Sequence, residues 1–231
     1  MTPPTTLTPT GAVTYPDSDG KRMAENTLQY EWIVAIHGNL ERQFRNDPDV
    51  FVAADNLIYP VQGNARISTA PDVYVAFGRP KGHRGSYKVW EEDGIFPQVV
   101  FEVWSPGNTL TEMIEKRGFY RQHGAEEFYL IDPDTGQAEV WVRDGRRLVP
   151  VEDVAAFVSP RLGIRFDPIE DGISLIGPDG RRFLSFLELG EAMEAERERA
   201  EAEMRRADQE AKRADKLAAK LRELGLDPDA V

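Results

Sequence analysis

Apolar residues follow two different rhythms along the first three quarters of the chain. In "MAENTLQYEWIVAIHGNLERQF" (23–44), Leu28, Trp32, Ile33, Ile36, Leu40 and Phe44 return every three or four residues. That is the period of a helix burying one face. The stretch "NDPD" (46–49) breaks it. "VFVAADNLIYPV" (50–61) predicts two short strands or one bent strand, and "PDVYVAF" (71–77) an alternating one. "PQVVFEVW" (97–104) is apolar almost without interruption, which predicts a strand covered on both faces. After "SPG", Thr109 with Glu112 three residues later resembles a capping box, and Gly124 closes a helix ending near His123. "EEFYLIDP" (126–133) and "QAEVWVR" (137–143) predict a hairpin around "DPDTG", and further short strands follow. The order helix, strands, helix, strands predicts a mixed α/β sheet domain over 21–186.

From 187 the rhythm becomes a heptad. Met193, Ala200, Ala207, Ala214 and Leu221 fall seven apart, and Met204, Ala211 and Ala218 form a second seam. Glu201–Arg205 and Asp208–Lys212 are spaced to pair on the surface. The prediction is a charged, Ala-rich helix over 187–231. Its seam suits a homodimeric coiled coil, a helix packed on the core, or a single solvated helix. At the other end, residues 1–20 are rich in Pro and Thr and predict a flexible lead-in.

Composition narrows the function classes. The net charge of -12 argues against a nonspecific nucleic-acid coat, because phosphate binding runs on Lys and Arg. It leaves room for an acidic metal site beside a local basic patch. With no cysteine there is neither a disulfide framework nor a thiolate metal site, which suits a cytoplasmic protein. No apolar run approaches the length of a membrane span, and the N-terminus lacks the pattern of a secretory signal. His37, His83 and His123 show no ligand spacing and are read as structural.

Two carboxylates interrupt this picture. Asp72 stands at a strand entrance after Pro71, and Glu102 lies inside "VVFEVW". A lone carboxylate in a buried sheet costs several kcal/mol, on the order of 2–7, unless something pairs with it. Neighbouring strands run about 4.8 Å apart, so the two acids are placed to share one hard cation such as Mg²⁺ or Mn²⁺. Without a cation, the pKa of one of them would rise. Lys116, on the helix after the Glu102 strand, has a stem long enough to bring positive charge over the sheet edge. The alternatives are a strand-entry Asp72 bonding nearby backbone, and Glu102 in a structural pair with Lys116 or Arg117.

The run "APDVYVAFG…PQVVFEVWSPGN…EMIEKRGFYRQHGAEEFYLIDP" resembles the Uma-two family of restriction endonucleases over about residues 21–167. The resemblance implies a restriction-endonuclease-like core of the PD-(D/E)XK type, a sheet flanked by helices, here followed by a long C-terminal helix. It implies a Mg²⁺-dependent DNA endonuclease in which Asp72 and Glu102 hold the metal and Lys116 is the catalytic cation. Glu25, at the start of the first helix, resembles an auxiliary acid. Trp104 stands where the ExK lysine would be, and Arg117 competes with Lys116 by helical phase. These departures keep a second reading open: a noncatalytic nuclease-fold module that binds nucleic acid or protein. Asp55 reads as a turn residue or a further site acid. The segment 78–94, with Arg79, Lys81, Arg84 and Lys88 among Tyr87 and Trp90, reads as a phosphate grip or an ordinary charged loop.

Overall fold

Helix α1 (Thr27–Gln43) begins where Asn26, in an extended conformation, turns its side chain to cap the Gln29 N–H at 2.7 Å. The Gln29 side chain answers by accepting from the Glu25 N–H at 2.8 Å. This reciprocal cap moves the helix start from the expected 23 to 27, so Glu25 lies outside the helix rather than in its first turn. Ile33, Ile36 and Leu40 form the buried stripe that the periodicity predicted.

The computed structural model describes residues 13–20, 22–169 and 172–223 and divides into two units, Met1–Ser185 and Phe186–Val231. The first holds a six-stranded mixed sheet in the order β1-β3-β5-β6-β7-β8. These strands are β1 (Val50–Ala54), β3 (Val73–Phe77), β5 (Val99–Val103), β6 (Glu127–Asp132), β7 (Gln137–Asp144) and β8 (Arg147–Pro150). Within this sheet, among the described residues, β5 and β6 are the parallel pair, and α2 (Leu110–His123) makes the crossover that such a pair requires. β6 and β7 form the predicted hairpin around Asp132–Gln137. Smaller pairings join β2 (Ile58–Tyr59) to β4 (Tyr87–Lys88), and β9 (Arg165–Ile169) to β10 (Gly172–Ile176).

Two hydrophobic clusters sandwich the sheet. On one face, α1 packs on Val73, Val75, Val99, Phe101 and Val103. On the other, α2 sends Tyr120 onto Tyr74, Val100, Phe128 and Trp141. All five residues of β5 are buried, which is why its sequence lacks the polar alternation of an exposed strand. Thr109 caps α2 through the Glu112 N–H, and Gly124 ends it with φ of 118°, a left-handed conformation that suits glycine.

The expected flexible lead-in spans 1–20, and its residues 1–12 lie outside the described residues. The described part is tied down. The Tyr15 ring meets Tyr59 edge-on at 5.1 Å, and the Tyr59 hydroxyl donates to the Pro16 carbonyl at 2.7 Å. In the second unit, α3 (Phe186–Glu223) is a single 38-residue helix with no buried residue. It carries the expected Arg205–Glu201 and Lys212–Asp208 ion pairs. Among the described residues no helix is long and apolar enough to cross a membrane.

Candidate active site

The β3–β5 ladder determines where the two strand acids stand. Val73 is opposite Phe101 in an antiparallel register, and one further step sets Asp72 opposite Glu102. Directly opposed residues share a face, here the α2 face of Tyr74 and Val100. Asp72 Oδ2 accepts from the Val103 N–H at 2.6 Å, so the carboxylate takes the place of a ladder carbonyl. The expected bond to nearby backbone thus goes instead across to the neighbouring strand.

Glu102 is 1% exposed. Its Oε2 accepts from Lys116 Nζ at 2.7 Å, and its Oε1 accepts a short hydrogen bond from the Tyr120 hydroxyl. Lys116 and Tyr120 are four apart on α2 and so share the helix face turned to the sheet. Arg117 points elsewhere, stacking its guanidinium 4.4 Å over the Trp141 ring. Of the two competing cations, Lys116 is the one brought to the acids.

The charges act strongly on one another. Burial first, and then the Glu102 charge, push Asp72 up to about 8, against the opposing pull of Lys116 and the Val103 N–H. Burial alone would lower the Lys116 ammonium, but Glu102 and Asp72 hold it above its ordinary value. Burial and the Glu102 charge raise Tyr120 well above the usual phenol range, so it stays a donor. Asp55 adopts the turn that its sequence context suggested, with φ of 48°. Burial raises its pKa, Asp19 adds to the rise, and Lys116 opposes it.

Glu25 arrives from beyond the N-terminus of α1. Ser105 Oγ, fully buried, lies 3.1 Å from Glu25 Oε2 and 3.1 Å from Asn108 Oδ1. Gly107 gives the carboxylate its room, because a Cβ there would collide with Glu25 Oε2. Gln29 Nε2 donates to the Val103 carbonyl at 3.0 Å, tying the start of α1 to the end of β5. Glu25, Asp55, Asp72 and Lys116 line one cavity of about 850 Å³, to which Asp19, Glu112 and Glu115 add negative charge. Glu102 meets this space through its partner Lys116.

Among the described residues, no group of three or more His, Asp or Glu side chains is set to hold a metal. The pair Asp72 and Glu102 still fits a hydrated divalent ion, since Mg²⁺ commonly takes one or two carboxylates and fills its remaining positions with water and phosphate. The observation in favour is the placement of the two acids, directly opposed on neighbouring chain segments, with Lys116 bonded to Glu102 and lining the same cavity as Asp72.

In segment 78–94, which carries β4 and a short 3-10 turn (Val89–Glu91), Arg79, Arg84 and Lys88 pair with acids of the same segment, and Lys81 with Glu41 of α1. Arg79 Nε and Arg84 Nε bind the two oxygens of Glu92 at 3.0 and 2.5 Å, and Arg79 also bonds Asp93. Arg84 lies 3.9 Å over the Phe51 ring, and Tyr87 is buried in the core. His123 packs against Phe119 at 4.5 Å, and burial lowers its pKa. Burial likewise lowers His37, with Glu41 opposing. Tyr120, Ser105 and Thr69, which bond to or beside these acids, are not among the candidates the sequence suggests. The available signal for Tyr120 was its four-residue spacing from Lys116.

A family model described as "Uma2: Putative restriction endonuclease" matches residues 21–167, well over half of the chain. No curated protein matches. Among solved structures, the chain is similar to one titled a "putative nuclease belonging to DUF820" from Anabaena variabilis ATCC 29413. Identity is 15%, the match covers 58% of this chain and 72% of that one, and the TM-score is 0.45.

Proposed function

The chain belongs to the Uma2 family, and on that premise we propose that it is a metal-dependent endonuclease hydrolysing phosphodiester bonds of DNA. The observation that carries the reading is the convergence of Asp72, just before β3, with Glu102 of β5 and Lys116 of α2. Asp72 and Glu102 would hold Mg²⁺ or Mn²⁺, which when bound supplies charge stabilisation and a more acidic water. Lys116 Nζ keeps its proton and stands ready for the negative charge that grows on the phosphoryl oxygens. Glu25, bonded by Ser105, lines the same cavity and would take a proton from an attacking water. The acidic lining would repel a DNA backbone on its own, so substrate and cation would enter as partners.

The test is cleavage of plasmid and linear DNA, with RNA alongside, in Mg²⁺, Mn²⁺ or a chelator. Cutting of DNA with either ion and none with the chelator is expected, with loss in Asp72→Ala and Glu102→Ala. RNA cut in preference to DNA would correct the substrate. Binding of nucleic acid or protein without any cutting would identify the noncatalytic module instead.

For α3 we propose association of two copies through the Met193–Leu221 seam, since no described residue of this helix is buried. Deleting 190–231 should lower the number of copies per particle, taken as light-scattering mass over chain mass, from two to one and leave the first unit folded. An unchanged number of copies would exclude this route to a dimer.

A further inference from the structure

Tyr120 is the largest polar investment of the α2 face that the proposed chemistry does not use. Its side chain is fully buried, with its ring 5.7 Å from that of Phe128 and 5.9 Å from that of Phe119. Burying a hydroxyl costs free energy unless it is bonded, and phenylalanine would fill the same space without that demand. The hydroxyl is committed on both sides. It donates to Glu102 Oε1, and Thr69 Oγ1 lies 3.4 Å away. Thr69 also lines the cavity that holds Asp72 and Lys116. The chain Thr69–Tyr120–Glu102 therefore runs from the cavity wall to the back of the buried carboxylate.

We propose that Tyr120 is a positioning residue of the site: its phenol anchors Glu102 Oε1, aiming Oε2 toward the side on which Lys116 and Asp72 stand. The proposal rests on the metal-site reading above. A carboxylate on a flexible stem has a broad terminal torsion, so a strand alone leaves its oxygens loosely aimed. Two donors from one helix remove that freedom. Lys116 engages the oxygen on the cavity side, and Tyr120 fixes the other. Outer partners of metal-binding carboxylates are known to affect affinity through such orientation, typically by about 10–100-fold.

Mn²⁺ is the probe, titrated calorimetrically into the wild-type protein, Tyr120→Phe and Thr69→Val, with thermal midpoints taken before metal is added. Tyr120→Phe keeps the ring, and a metal-free midpoint within a few degrees of wild type is expected. Its Mn²⁺ affinity should fall about 10–100-fold. Thr69→Val should show a smaller loss in the same direction. A merely structural tyrosine would move the midpoint and leave the affinity alone. Wild-type affinity in a folded Tyr120→Phe overturns the inference while leaving the metal site standing. If Tyr120→Phe fails to fold, wild-type affinity in Thr69→Val overturns it. Absence of Mn²⁺ binding by the wild-type protein removes the metal site and this inference together.

Discussion

Replacing Lys116 with glutamine should slow hydrolysis about 10²–10³-fold and yet tighten divalent binding. The ammonium 2.7 Å from Glu102 Oε2 is the positive charge that currently offsets the two strand acids. Removing it takes away the group placed to meet charge in the transition state, and losses of about 10²–10³-fold are usual for such donors. It also removes a cation that repels an incoming metal ion. At effective dielectric values near 20, a unit charge a few ångströms away is worth several kcal/mol, so about a tenfold gain in Mn²⁺ affinity is a modest expectation. The glutamine amide can still donate to Glu102, which limits the cost of breaking a buried pair, otherwise about 3–5 kcal/mol. Calorimetry and cleavage rates on one preparation decide it. Affinity falling together with activity would mean that Lys116 builds the metal site rather than opposing it.

Asp72→Asn should silence the enzyme and stabilise the metal-free protein at alkaline pH. Burial, and then the Glu102 charge, push the folded carboxyl up to about 8, against an ordinary value of 3.8. Between those values the native state binds more protons than the unfolded chain, so this group's contribution to stability declines as pH rises. The decline is complete above 8, where the native carboxylate is charged. Below 3.8 the two states are alike and the effect vanishes. Allowing for relaxation and water entry, the ionised residue costs on the order of 2 kcal/mol. That corresponds to a gain of about 5 °C in the thermal midpoint of the variant at pH 9, shrinking toward pH 4. The asparagine oxygen can still accept from the Val103 N–H, so the ladder contact survives. Adding Mn²⁺ should reverse the ranking at pH 9, because only the wild-type protein gains from the ion. Equal midpoints at every pH would show that Asp72 is not under electrostatic strain.

Much of this arrangement was legible in the sequence, for local reasons. Thr109 and Gly124 are capping signals, and both act as such in α2. The unbroken apolar run of β5 reported its burial on two faces and made Glu102 conspicuous. What escaped depended on distant partners. Tyr120 in an amphipathic helix looks like core, and only the fold brings Glu102 to its hydroxyl. Arg79 and Arg84 look like phosphate ligands in the sequence, and only the fold shows Glu92 set between them. Choosing between Lys116 and Arg117 required the rotation of α2 on the sheet, where the exposed-looking lysine reaches inward and the arginine covers Trp141. Glu25 shifted out of its helix because Asn26 and Gln29 formed a stronger local cap than the apolar rhythm suggested.

Mn²⁺ titrated into wild-type protein beside Glu102→Gln, a substitution that keeps the side-chain shape but removes the charge and leaves one acceptor oxygen where Lys116 and Tyr120 now engage two, reaches the central claim most directly. Saturable heat from the wild-type protein, missing from the variant, is what a cation shared by opposed strand acids predicts. Identical traces from the two proteins, whether binding or silent, would contradict it.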